Sequence, residues 1–128
     1  MTWFAPYVGL PFGDQAPAVT CWGLVCRIYA EQLGIELPAY GEIPACDLLR
    51  VARAMRAGSD DGWMPIDRPR PFDVVLMRAP QGGASVVHVG VMIDALRMIH
   101  VEAATAAVIV PVRHWSVSGR ILGYRRRV

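Results

Sequence analysis

Thr20-Cys21-Trp22-Gly23-Leu24-Val25 is the stretch from which the rest of the chain can be read. Threonine is a good helix N-cap, and Leu24, Val25, Ile28, Tyr29 and Leu33 follow it in steps of three and four on one broad apolar face. Gly34 stands where such a helix stops. The spacing predicts a helix over 21–33 with Cys21 at its first position. Unpaired N–H groups and the positive end of the helix dipole stabilise a thiolate there. The position therefore predicts a lowered pKa and a raised nucleophilicity for Cys21.

Ahead of this helix, residues 1–19 hold Pro6, Gly9, Pro11, Gly13 and Pro17 and show no helical period. They read as a loop-rich lead-in whose aromatics, Trp3, Phe4, Tyr7 and Phe12, can pack or line a groove. Behind it, residues 35–43 form a connector with Pro38 and Gly41. Pro44 opens a predicted second helix over 45–57, with Leu48, Val51, Ala52 and Met55 on one face and Gly58 at its end. Ser59-Asp60-Asp61-Gly62 is a turn cluster, and Pro65, Pro69 and Pro71 predict an extended, irregular passage. After Pro71 the pattern becomes that of strands, over 73–77, 86–93, 97–102, 107–112 and 120–124, mostly in hairpin order. Helices followed by strands predict an α+β fold with an antiparallel sheet, and residues 1–128 read as a single domain without internal repeat.

Composition removes several classes of function. Hydrophobic residues make up 54% and charged ones 19%, as in a compact globular chain. The net charge is +2, there is no lysine, and the thirteen arginines are scattered except for Arg125-Arg126-Arg127, which read as a solvated tail. No basic stripe exists, so no nucleic-acid partner is expected. The three cysteines, Cys21, Cys26 and Cys46, are an odd number and show no C-x-x-C spacing, which predicts neither a complete disulfide framework nor a zinc site. Nothing in the sequence asks for a metal or another cofactor. Residues 1–6 lack the pattern of a signal peptide, and the apolar run over 103–112, broken by Thr105 and Pro111, is too short for a membrane span. The expectation is a protein made in the cytoplasm that something else must carry to any external substrate.

Strand parity bears on the histidines. In 86–93, Val87, Val89, Val91 and Ile93 share one face and His88, Gly90 and Met92 the other; in 97–102, His100 falls with Met98 and Glu102. Tight pairing through the turn at 94–96 sets His88 opposite His100 or one diagonal step away. Gly90 leaves space on that face for a close approach. If the predicted helix lays its N-terminus over the His88 face, Cys21 meets His88. The set then suits nucleophilic acyl transfer, with His88 as base, His100 orienting it and the Cys21 N–H donating to an oxyanion. Tyr7 is the candidate for a second donor. Cys26 and Cys46 read as small buried hydrophobes. His114, beside Trp115, reads as structural; Glu102 is either a partner of the histidines or a solvated edge residue, the edge being favoured.

These motifs resemble those of the NlpC-type, papain-like cell-wall cysteine peptidases. Cys21-Trp22-Gly23-Leu24-Val25 resembles that family's cysteine motif, His88-Val89-Gly90-Val91 its His-Val-Gly strand and Met98-Ile99-His100 its third catalytic position. Phe72-Asp73-Val74-Val75-Leu76 resembles its Gly-Asp strand. Tyr7-Val8-Gly9-Leu10-Pro11-Phe12 and Leu33-Gly34-Ile35-Glu36-Leu37-Pro38 are similar to the branch encoded among phage tail-assembly proteins. The resemblance implies helices packed on a central antiparallel sheet and an endopeptidase cutting peptidoglycan stem peptides, with Cys21, His88 and His100 catalytic. It implies an oxyanion role for Tyr7 and phage tail proteins as delivery partners, with secretion-machine proteins in that place if the chain is an exported toxin. Thr20 and Trp22 depart from the family's usual Asp and Ser, and Trp22 would add bulk beside the cleft, where it bears on substrate choice. A structural tail component, an amidase and an exported toxin are the alternatives that this set leaves open.

Overall fold

The computed structural model describes residues 2–37 and 62–128. Thr20 caps the first helix as expected: its side-chain oxygen accepts from the Gly23 N–H at 2.9 Å. A Cβ on Gly23 would stand 2.9 Å from that oxygen, so glycine at this position leaves room for the cap. Helix α1 spans Cys21–Ile28 and continues into one π-helical turn, Tyr29–Leu33, which Gly34 ends in the left-handed region at φ 66°. The predicted helix over 21–33 is thus one helical run that widens in its last turn. The second predicted helix, over 45–57, and Cys46 lie outside the described residues.

Six strands follow: β1 (Trp63–Ile66), β2 (Val74–Met77), β3 (His88–Met92), β4 (Arg97–Glu102), β5 (Thr105–Pro111) and β6 (Ile121–Arg127), with one helical turn, α2 (Trp115–Ser118), before the last. They form one sheet in the order β1-β6-β2-β3-β4-β5, and every neighbouring pair is antiparallel. The α+β expectation holds, and all five predicted strands are present, 97–102 with the predicted ends and the other four with shifted ones.

Three features differ from the sequence reading. The passage around Pro65 contains β1, at the sheet edge, where a residue without an N–H is tolerated. Strand β6 runs on through the arginines, so the expected solvated tail is ladder instead: Arg125 pairs with Val74 and Pro65, and Arg126 with Met64. The Arg126 guanidinium also clasps the buried Asp73 carboxylate, with contacts of 3.0 and 2.8 Å. Finally, the lead-in forms a single 3-10 turn, Ala5–Tyr7, and α2 is too short for any period to announce it.

The sheet is covered on both faces. Leu24, Val25 and Ile28 of α1 share a buried cluster with Val89, Val91, Ile99 and Val101, while Met77, Met92, Met98 and Val117 fill a second cluster across the sheet. The body of helix α1 therefore lies on the aliphatic face of β3 and β4 rather than on the face that carries His88 and His100. Apolar area decides this, because valines and isoleucines offer the helix more of it than a face holding two imidazoles.

Candidate active site

His88 opens β3 and His100 lies within β4. The β3–β4 register pairs Val91 with Ile99 and Met92 with Met98. Carried on, it sets His100 across from Gly90 and one diagonal step from His88. A Cβ on Gly90 would lie 3.3 Å from His100 Cβ and 3.1 Å from the Ile99 carbonyl oxygen, so the close approach anticipated at this glycine is that of β4 itself. The missing side chain lets the imidazoles meet: His88 Nε2 is 2.8 Å from His100 Nδ1, and both residues are buried.

Cys21 reaches this pair at the start of β3. Its buried thiol is acted on by the backbone N–H groups of Val89, Trp22 and Cys21 itself. A cavity of about 180 Å³ brings Cys21, His88, Glu102 and Arg120 together, with Phe12 and Pro80 among its walls. With His88 Nε2 engaged by His100, Nδ1 is the ring nitrogen left for the thiol. A base at that position needs the tautomer with its proton on Nε2, donated to His100 Nδ1.

The electrostatics correct one expectation. Burial pushes the Cys21 thiol up to about 11, against the lowering by the amides, where the helix start alone predicted a depressed value. Burial likewise takes His88 down to about 3, with His100 and Arg120 adding to the fall and Glu102 opposing it. His100 is also lowered, chiefly by burial. At rest the site holds a neutral thiol beside neutral imidazoles, so a nucleophile here would need a neighbouring base to take its proton.

Two sequence candidates lie elsewhere. The Tyr7 hydroxyl donates to Glu31 at 2.7 Å and accepts from Gln32 at 3.0 Å. Those partners sit on the far turn of the helical run, roughly 15 Å of helix from Cys21 at 1.5 Å per residue. Tyr7 is a buried tether of the lead-in, not an oxyanion donor. Trp22 is 5% exposed, and its ring lies 6.5 Å from that of Trp63 in the core. One residue along a helix turns the side chain by about 100°, which carries Trp22 away from the cavity that Cys21 lines. Its bulk fills the interior, so the expected part in substrate choice is not supported by its position.

Glu102 is not the solvated edge residue that was favoured. Its Oε1 lies 3.6 Å from His100 Nδ1, and both its oxygens are bound by Arg120 at 3.0 and 3.1 Å. Arg120 carried no signal in the sequence; it follows a Ser-Gly pair just ahead of β6. His88, His100 and Glu102 bring one ligating atom each within 4.8 Å of one another. Arg120 holds both carboxylate oxygens through a bidentate fork, however, so Glu102 stands beside the histidine pair as a paired charge and not as a free ligand for a resident metal ion. His114 caps α2 by accepting from the Ser116 N–H, and Cys26 packs partly buried against the core. Among the described residues no helix is long and apolar enough to cross a membrane.

A helix-borne thiol meeting two coupled imidazoles at the start of a sheet strand is an arrangement fit for nucleophilic acyl transfer. The sequence profile of the NlpC/P60 family matches residues 11–126, and the chain belongs to that family. Its members are generally cell-wall peptidases and typically cysteine peptidases. Among solved structures, the chain is similar to an NlpC/P60 family protein from Bacillus cereus ATCC 10987, at 25% identity and a TM-score of 0.67 over 94% of this chain and 36% of that one. It shares its fold with a protein described as similar to lipoprotein, NLP/P60 family, from Staphylococcus aureus subsp. aureus Mu50, at 19% identity and a TM-score of 0.67 over 100% of this chain and 40% of that one. The chain thus spans well under half the length of either. No curated protein matches it.

Proposed function

We propose that this chain is a cysteine endopeptidase that hydrolyses peptide bonds in peptidoglycan stem peptides. The observation that carries the reading is the 2.8 Å contact between His88 Nε2 and His100 Nδ1 in the cavity that Cys21 lines. His88 Nδ1 takes the thiol proton as Cys21 Sγ attacks the scissile carbonyl carbon, and later returns that proton to the leaving amine. His100 holds the His88 ring in the required tautomer and plane. The Cys21 N–H, at the helix start, donates to the oxyanion. Water then adds to the thioester with His88 again as base, and Cys21 leaves as the thiol.

A second cavity of about 280 Å³ shares Pro80 and Arg120 with the first and is walled by Trp115, which is 84% exposed. In this reading it continues the groove and receives a neighbouring part of the substrate. The similarity of residues 7–12 and 33–38 to the phage tail-associated branch supports delivery by a phage tail, or by a secretion machine, as the way to the cell wall.

Mass spectrometry of purified muropeptides after incubation tests the reading. New termini within the stem peptide are expected with the unaltered chain and none with Cys21→Ala. Release at the glycan–peptide amide would make it an amidase instead. Undiminished cleavage by Cys21→Ala would remove the thiol mechanism altogether.

A further inference from the structure

The reading of Cys21, His88 and His100 leaves the two charged residues of the cavity, Glu102 and Arg120, without a role. Arg120 is 8% exposed, and its fork spends Nη1 and Nη2 on the two Glu102 oxygens at 3.0 and 3.1 Å. Its Nε donates to the Arg78 carbonyl at 3.0 Å, and the Arg78 N–H donates back to the Arg120 carbonyl at 2.9 Å. The guanidinium is therefore fixed from both ends. The carboxylate it holds has Oε1 3.6 Å from His100 Nδ1, the atom that meets His88. With Arg120 buried and Glu102 half-buried, the pair costs desolvation and is weak evidence of a stability role.

We propose that Glu102 and Arg120 are positioning residues that act through His100: Arg120 locks the Glu102 carboxylate beside the histidine pair, and that charge steadies the imidazolium formed when His88 takes the thiol proton. No atom is transferred to either residue. The proton moves from Cys21 Sγ to His88 Nδ1, the Nε2–H stays donated to His100 Nδ1, and the new positive charge faces a fixed negative one. The charged and titratable groups acting on His88 are Glu102 and His100 from β4 and Arg120 ahead of β6, with Cys21 of α1 lining the same cavity. Glu102 favours the charged ring and Arg120 opposes it. The two residues should therefore shift His88 in opposite directions.

The inference rests on His88 being the base, so its test includes a readout independent of activity. In Cys21→Ala protein, proton NMR titration of the imidazole C2–H signals should show His88 protonating at lower pH with Glu102→Gln and at higher pH with Arg120→Met. In the active chain, Glu102→Gln should lower kcat about tenfold or more with KM little changed. Arg120→Lys, which keeps the charge without the fork, should restore part of what Arg120→Met loses. Histidine titrations unmoved by Glu102→Gln in a folded protein would overturn the proposal, as would both variants shifting His88 the same way. Should Arg120→Met not fold, Glu102→Gln and Arg120→Lys decide it alone. Opposed shifts without any peptidase activity would uphold the positioning device and reject the substrate reading.

Discussion

His88 Nε2 and His100 Nδ1 are 2.8 Å apart although the residues are one diagonal step apart across β3 and β4. A buried imidazole with one nitrogen so engaged has one tautomer that leaves Nδ1 free to accept the thiol proton. Removing the partner frees the ring to rotate and leaves a buried donor unsatisfied. His100→Ala should therefore reduce kcat by about a hundredfold or more with a smaller change in KM. His100→Asn, whose amide oxygen can accept from Nε2–H, should recover part of the loss. Steady-state kinetics on a stem-peptide substrate would show it, and full activity in His100→Ala would remove His100 from the relay.

Burying both rings uncharged makes the fold sensitive to acid. Unfolded histidine titrates near 6.5, whereas His88 in the fold is lowered to about 3 and His100 is lowered as well, burial being the first cause for each. Below pH 6.5 the unfolded chain binds protons that the folded chain refuses, so stability present above that pH is lost as pH falls toward 3. For His88 alone the loss is on the order of 4 kcal/mol across that window. Thermal unfolding measured from pH 8 to pH 3 should show Tm falling through it, with a shallower fall in His88→Gln. An equal slope in that variant would show that His88 is solvated in the fold.

Gly90 is the position at which the smallest change should disturb the site most. An added methyl would press on the Ile99 carbonyl at 3.1 Å and on the Met98 sulfur and His100 Cβ at 3.3 Å. The sulfur can give way, but the carbonyl belongs to the strand. Gly90→Ala is expected to cost about 1–2 kcal/mol and to displace His100, lowering kcat beyond what the stability loss explains. Chemical denaturation and kinetics on the same sample separate the two effects, and unchanged kinetics would mean that the site tolerates the shift.

Local chemistry explains which parts were legible beforehand. Thr20, the apolar face of α1 and Gly34 act within a few residues of one another, so the helix could be read from the sequence. The alternation in β3 and β4 placed His88 and His100 on one face for the same reason. The face that α1 would cover could not be read, because it depends on comparing two assembled sheet faces. Tyr7, Glu102 and Arg120 were misread or missed because their partners lie 24, 18 and 18 residues away in sequence, beyond any local pattern. The thiol pKa was misjudged because helix-start amides are visible in a sequence and desolvation is not.

Trp115 walls a cavity beside the one that Cys21 lines. It is 84% exposed, next to His114, which caps α2, and it walls the cavity that shares Pro80 and Arg120 with the one Cys21 lines. If that cavity receives substrate, Trp115→Ala should raise KM several-fold on a long peptidoglycan fragment, in keeping with the roughly 1 kcal/mol of an aromatic contact, and leave kcat alone. Its stability should be unchanged, since so exposed a ring contributes little burial. The comparison is KM on a long and a minimal fragment; an equal KM change on both would place the contact within the minimal substrate.

Phe72 holds a backbone conformation unfavourable to its side chain, with φ 76°, and it occupies the place of glycine in the Gly-Asp pattern that residues 72–76 resemble. The conformation is fixed from both sides: the Phe72 N–H donates to the Met92 carbonyl at 2.8 Å, and its own carbonyl accepts from the Tyr29 hydroxyl. The turn keeps Asp73 under Arg126 and feeds β2 into the sheet. What offsets the left-handed backbone is the stacking of the ring on Trp3, with centroids 4.4 Å apart and planes at 24°. The two contributions can be separated by a pair of substitutions. Phe72→Ala loses the stack and keeps the strained φ, for a cost of about 2–3 kcal/mol, whereas Phe72→Gly loses the same stack but relieves the backbone by about 1 kcal/mol. In urea unfolding, Phe72→Gly should therefore be the more stable of the two, against the usual preference for alanine over glycine. The reverse order would show that residue 72 does not hold a positive φ in solution.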